Sequence, residues 1–345
     1  MVEPTIAASF ARALMELAVS KGASRKLLAE RSGIDPKDLQ DPDNRIPFAK
    51  YIALMRTGKE LCNDPALALH FGEAVDMAEV SIVGLIGEAS ETTLEAFAQV
   101  NRYSRLIVEV DTGTADRFAL TRSNGQLWFV DNRKNPNDFP EITEGGFARG
   151  VCGARRLDET PFVKAVHVTH SDPGYRAEYD RIFRAPVVFE SDKNAMLVDE
   201  AWLNRRIAIQ PRYVFGVLSE RAEALLKSLE RSKTSRGRVE SLLMPILHTG
   251  DASIEAIAGK LGVSRQTLFR KLKAEGVTYE KVLDELRHKL ALHYLAGKKV
   301  SVNETAYLVG FSEPSAFTRA FKRWTGASPR TMRASTTDHE RTGSS

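Results

Sequence analysis

From Thr5 to Val19, apolar side chains at Ile6, Phe10, Ala13, Leu14 and Leu17 recur at three- and four-residue steps, which predicts a helix with one buried face. Helical patterns follow at Leu27 to Gly33 and, after Asp35-Pro36, to Leu39. Others cover Phe48 to Cys62, Pro65 to Gly72 and Leu94 to Leu106. The Leu-rich hairpin at 27–39 imitates a helix-turn-helix. Its second helix carries Asp35, Asp38 and Asp41 beside Lys37, a poor surface for phosphate, so it is read as packing.

The pattern changes at Ile107. Ile107 to Val110, Arg117 to Thr121 and Gln126 to Val130 are short β-rich runs, with Ser123-Asn124-Gly125 as a tight turn, so an antiparallel meander is expected. Phe147 to Leu157 reads as helix, Phe162 to Thr169 as strand, Tyr179 to Phe183 as helix and Val187 to Phe189 as strand. The N-terminal part is therefore expected to be α+β.

Pro211 opens a long helical pattern through Val214, Val217, Leu218, Ala222, Leu225, Leu226 and Leu229. One apolar stripe serves equally for packing within the domain and for a homodimer. Beyond it the chain turns polar. We expect a domain over 1–230, a linker at 231–238, a second, all-α domain over 239–335 and a disordered tail at 336–345.

Composition adds a class and charge adds a partner. With 43% apolar, 27% charged and 8% aromatic residues among 345, the chain reads as an ordinary globular protein of two domains rather than a disordered or collagenous one. No apolar run reaches the ~18 residues of a membrane span and no secretion signal is legible, so a cytoplasmic location is expected. The net charge is only +4, but residues 233–335 hold 18 Lys and Arg against 9 Asp and Glu. A basic domain joined to an acidic one points to a polyanion such as double-stranded DNA.

That basic segment contains a repeat. At an offset of 48, Ser253, Ala258, Gly262, Ser264 and Phe269 match Ser301, Ala306, Gly310, Ser312 and Phe317, with Ile254/Val302 and Val263/Phe311 as conservative pairs. Each copy reads as a short helix with a small Ala at the close approach, a Gly turn, an apolar plug, and a Ser able to cap a second helix. That is the grammar of a helix-turn-helix.

In the first copy, Leu268 and Leu272 face inward while Ser264, Arg265, Gln266, Arg270 and Lys273 are candidate DNA contacts; Arg suits guanine and Gln suits adenine. In the second, Phe317 and Phe321 face the core. Glu313, Ser315, Ala316 and Arg319 are left for bases, with Lys322 and Arg323 for phosphates. Between the copies Glu280 to Ala296 is strongly helical, with Leu292 and His293 among its apolar contacts and Gly297 ending it. Its length of about 26 Å, plus the flanking turns, brings the reading helices near the ~34 Å repeat of the major groove.

With those residues in view, Ile254 to Arg333 resembles the DNA-binding domain of AraC/XylS family transcriptional regulators. The likeness is most specific in Gly310-Phe311-Ser312-Glu313-Pro314-Ser315-Ala316-Phe317 and in Phe321 to Pro329. Thr305 departs from the aliphatic residue more usual there, and its hydroxyl is expected to weaken local packing slightly. The N-terminal part resembles the arabinose-binding-type sensor domain of the ornithine-utilisation and VirS-like branch, through Ile82 to Gly87, Thr93 to Phe97, Phe183 to Phe189 and Asn194-Ala195. The resemblance implies a tandem helix-turn-helix joined by a linker helix, RNA polymerase as partner, activation as the usual mode, and an effector-sensing or dimerising module. It identifies no effector, and no cofactor is implied.

Other chemistry is weakly signalled. Cys62 and Cys152 have no neighbouring thiol, although Arg149 and Arg155 would lower the Cys152 pKa if they converged on it. His167-x-x-His170 on a strand would point to opposite faces, and His288 and His293, five apart, do not share a helix face. No phosphate loop, nucleophile elbow or dinucleotide fingerprint is present. An effector-responsive regulator is the leading expectation. A constitutive regulator and a DNA-repair methyltransferase fusion remain alternatives.

Overall fold

The computed structural model describes residues 3–113, 116–207, 211–297 and 300–333. The expected tail at 336–345 lies outside them. The chain forms two compact units, Met1–Leu226 and Lys227–Ser345.

The first unit opens with strand β1 (Thr5–Ala7), not helix; α1 runs only from Ala8 to Ser20. β1 pairs antiparallel with β2 (Arg45–Pro47), Ile6 opposite Ile46. Between them lie α2 (Arg25–Ser32) and a 3-10 turn at Pro36–Leu39, whose Leu28, Ile34 and Leu39 are buried, in keeping with the packing role read for that hairpin. After β2 come α3 (Phe48–Leu61), α4 (Leu67–Ala74), α5 (Met77–Val80), α6 (Ile82–Ala89) and α7 (Thr93–Ile107).

The β-branched run at Ile107 to Val110 is not a strand. Ile107 ends α7, and Val108 makes a single bridge to Ile6. Arg45 explains the junction: its guanidinium donates to the Thr5 carbonyl at 2.9 Å and to the carbonyls of Arg105 and Leu106, tying β1 to the open end of α7.

A five-stranded sheet follows, built from β3 (Phe118–Ser123), β4 (Gln126–Asp131), β5 (Val163–His167), β6 (Val187–Val188) and β7 (Ala195–Val198). The β3–β4 hairpin turns at Asn124 and Gly125, φ +51° and +73°, the two left-handed residues such a turn requires. The sheet order is β3-β4-β7-β5-β6, and β5 pairs parallel with β6, so the sheet is mixed; of the expected meander the antiparallel β3–β4 hairpin forms, but the 107–110 run contributes no strand to it. Helix α9 (Arg176–Phe183) is the crossover between β5 and β6, which permits parallel pairing, and the late strand β7 inserts between β4 and β5. Helix α8 (Glu141–Leu157) packs Phe147, Ala148, Val151 and Cys152 into the same core as the sheet.

Helix α10 (Arg212–Lys233) follows, and the division between the units falls inside it. Ala222 is buried in the first unit's core, with Phe215, Leu218 and Leu226 packed around it, whereas Val217 is half exposed. The 231–238 stretch read as linker is helical on both sides of Thr234. That side chain accepts the Gly237 amide and starts α11 (Ser235–Leu243), a helix held by its cap where no apolar stripe announces it. No helix among the described residues is long and apolar enough to cross a membrane.

Candidate DNA-binding surface

After α11 and a 3-10 turn at Met244–Thr249, the second unit consists of α12 (Ile254–Lys260), α13 (Arg265–Ala274), α14 (Tyr279–Gly297), α15 (Val302–Leu308) and α16 (Pro314–Thr325). The two halves of the repeat begin alike. Ser253 and Ser301 cap α12 and α15, Ala258 and Ala306 are buried, and Gly262 and Gly310 turn the chain at φ +66° and +80°.

They then fall out of register. Ser264 caps α13 by accepting the Thr267 amide, but Ser312 caps nothing. Glu313 holds the N-cap position of α16 without a side-chain bond, and Pro314 is the first helical residue. The second turn is one residue longer, so α13 and α16 correspond at an offset of 49. The Phe269/Phe317 identity is therefore not a structural equivalence: Phe269 is 51% exposed and Phe317 is fully buried. The equivalent core pairs are Leu268 with Phe317 and Leu272 with Phe321, all buried. The equivalent outward pairs are Arg270 with Arg319 and Lys273 with Lys322, six and nine residues after each N-cap.

Those four cations and Gln266 are exposed and make no hydrogen bond or ion pair among the described residues. Arg265 is also exposed and meets Glu255 at 3.0 Å, a solvated pair that contributes little to stability. The Ser264 hydroxyl is occupied in capping, and the Ser315 hydroxyl donates to Glu313 at 3.3 Å. Ala316 is half-buried. Arg323, read as a phosphate contact, instead donates to Asp284 of α14 at 2.5 Å, and the Trp324 indole reaches the same carboxylate at 3.4 Å. That pair, like Arg265 with Glu255, lies at an exposed side chain.

Helix α14 is the common spine. Tyr279, Val282 and Leu286 lie in the core of the first motif, Ala291 and Leu295 in that of the second, and Leu283 and Leu290 touch both. Leu292 and His293, expected among its apolar contacts, are exposed. Thr305 does not leave an unsatisfied hydroxyl: it donates to the Ser301 carbonyl at 2.8 Å. Phe269, which sequence reasoning did not count among the surface residues, stands half-exposed on α13, a large apolar side chain off the buried face of the helix.

The remaining candidates are dispersed. His167 ends β5 and bonds Ser191, while His170 lies beyond the strand against Tyr179, and no metal-ligating group of three was found among the described residues. Burial raises the pKa of both thiols, so the lowering considered for Cys152 is outweighed even with Arg155 nearby.

Comparison with known proteins follows the same division. The model of the arabinose-binding domain of AraC transcription regulators, N-terminal, matches residues 22–207, and a helix-turn-helix domain model matches 257–335. The ornithine utilization regulator of Pseudomonas aeruginosa is 28% identical over 325 residues, 93% of this chain and 94% of that one. The transcriptional regulator VirS of Mycobacterium tuberculosis is 39% identical over 106 residues, 31% of each chain. The crystal structure of the regulator CdpR from Pseudomonas aeruginosa aligns over 78% of this chain and 87% of that one, at 24% identity and a TM-score of 0.37. With more than half its length inside the first of these models, the chain belongs to the AraC family of transcription regulators.

Proposed function

We propose that the protein is a sequence-specific transcriptional activator whose α13 and α16 enter successive major grooves of promoter DNA. The observation that carries this reading is the pair of matched free cations, Arg270 with Lys273 and Arg319 with Lys322, on helices mounted on one spine. Arg265, Gln266, Arg270, Ser315, Ala316 and Arg319 are assigned to base edges, and Lys273 and Lys322 to phosphates. Ser264 caps α13 and Glu313 stands at the N-cap position of α16, while Arg323, exposed and paired with Asp284 much as Arg265 is with Glu255, is assigned to a phosphate.

The N-terminal unit tunes this binding through a small-molecule effector, and RNA polymerase is the partner that activation requires. The family's common mode supports activation. The exposed Tyr213 and Val217 on α10 leave a face for a second copy of the chain.

Footprinting of the full-length protein on the promoter regions flanking its own gene tests the reading. Protection of two sites one helical turn apart is expected. Protection of none, or of a single groove, contradicts it.

A further inference from the structure

The capping Ser253 and Ser301, the buried Ala258 and Ala306, the turn glycines Gly262 and Gly310, and the core pairs Leu268 with Phe317 and Leu272 with Phe321 recur in both helix-turn-helix motifs. One contact does not recur. Glu255, the second residue of α12, reaches Arg265, the first residue of α13, with Oε1 3.0 Å from Nη1. At the matching places the second motif carries Asn303, the second residue of α15, and Pro314, the first of α16, so both partners are replaced together. The side chains of Arg265 and Glu255 are 68% and 58% exposed, and an ion pair so solvated adds little to the stability of the motif. What it does affect is the side chain with which α13 begins.

An arginine on an exposed helix end samples many rotamers, and a contact with DNA must overcome the entropy of fixing it. A carboxylate at one corner of the guanidinium restricts that freedom before DNA arrives. No hydrogen bond among the described residues occupies the Nε–Nη2 edge, a fork that fits the O6 and N7 acceptors of guanine. The same carboxylate competes with phosphate. Leaving Glu255 for a phosphate exchanges one anion for another, whereas bonding guanine through the free edge keeps the pair and adds to it. Glutamate beside Arg265 therefore favours guanine over sequence-independent contact. Arg270 and Lys273, farther along α13, have no ion pair among the described residues.

We propose that Glu255 is a positioning residue that aims Arg265 at a guanine in the groove met by α13 and so sharpens sequence discrimination there, a device the second motif lacks. The proposal rests on the assignment of Arg265 to a base edge.

The test uses the full-length protein and the DNA segment it protects in footprinting, with each guanine–cytosine pair under α13 replaced in turn by adenine–thymine. Affinities of the parent, Arg265→Ala, Glu255→Gln and the double variant are measured by mobility shift on each duplex. Glutamine keeps the size of the side chain and removes its charge. In the parent one replacement should lower affinity strongly, and Arg265→Ala should erase that preference. Glu255→Gln should shrink the same preference about two- to fivefold, the range of an exposed ion pair, and leave preferences at other positions as they were. The double variant should show the preferences of Arg265→Ala. A Glu255 that acts only by its charge would, once neutralised, raise affinity for every duplex by one common factor and leave each preference intact; that result overturns the proposal. If Arg265→Ala loses the preference while Glu255→Gln retains it in full, Glu255 has no positioning role and Arg265 keeps its base assignment. If Arg265→Ala retains every guanine preference, or no segment is protected at all, the underlying reading fails and this role with it.

Discussion

The guanidinium of Arg287, on the spine helix, donates to the carbonyl oxygen of Gly310 at 2.9 Å and lies over the Phe311 ring at 4.7 Å. One side chain thereby fastens the turn of the second helix-turn-helix to the element that also carries the first. Arg287→Met keeps the aliphatic packing and removes the bond, so a loss of about 1–3 kcal/mol is expected in urea denaturation. Protection of the α16 groove should weaken before that of the α13 groove in footprinting.

The two turn glycines are expected to respond differently. A Cβ at Gly310 would sit 2.3 Å from the Leu247 carbonyl oxygen, at φ +80°, whereas Gly262 at φ +66° has open space around it. Gly262→Ala should cost about 1–2 kcal/mol from the backbone alone. Gly310→Ala should cost clearly more, and Gly310→Val should abolish the second footprint. Equal melting temperatures for the two alanine variants would contradict the close approach.

On DNA, Arg270→Ala and Arg319→Ala are each expected to cost about 1–3 kcal/mol on the operator and little on random sequence. Lys273→Ala and Lys322→Ala should weaken both equally and reduce the salt slope by about one. Mobility shifts at several salt concentrations distinguish the two patterns, and identical losses for all four variants would remove the base-reading assignment.

Phe269 and Phe317 provide a contrast that sequence identity conceals. Phe317→Ala empties a fully buried site and should cost about 3–5 kcal/mol of stability. Phe269→Ala, at a half-exposed site on the reading helix, should leave the melting temperature nearly unchanged while lowering operator affinity, consistent with contact to a thymine methyl. Unaltered operator affinity for Phe269→Ala would make it a bystander.

Glu144 is expected to make the protein less stable as pH rises. It is buried in α8, accepts hydrogen bonds from Tyr175 at 2.9 Å and from Tyr179, and its second oxygen has no partner. Burial raises its pKa above the ordinary 4.5, so the unfolded chain releases this proton at lower pH than the native state does. Stability from this residue is therefore greatest below pH 4.5 and declines as pH climbs to the native pKa. Glu144→Gln should gain stability relative to the parent at neutral pH and show a flatter profile in denaturation curves between pH 5 and 8. A parallel profile would refute this.

The helices and the second domain were largely legible because their signals are local. A 3.6-residue apolar period, a Gly where φ must be positive and a Ser before a helix each act within a few residues, so α3, α7, α12, α13 and α14 could be drawn from the chain alone. The same locality explains the errors. Thr5–Ala7 has helical spacing but pairs with residues some forty positions away, and the 107–110 run has strand chemistry but ends a helix. Alternation says that a segment is a strand and nothing of its neighbour, so neither the parallel β5–β6 pair nor the insertion of β7 was visible.

The amino-acid order by itself determined that a basic, twice-repeated helix-turn-helix follows an α+β domain, because helix periodicity, turn chemistry and charge are properties of neighbouring residues. Only the tertiary structure decided which cations on α13 and α16 are without ion pairs, that Arg265 and Arg323 meet Glu255 and Asp284, and that α16 is shifted by one position relative to α13. Pairing and desolvation depend on side chains far apart in the chain, whose meeting no local pattern records.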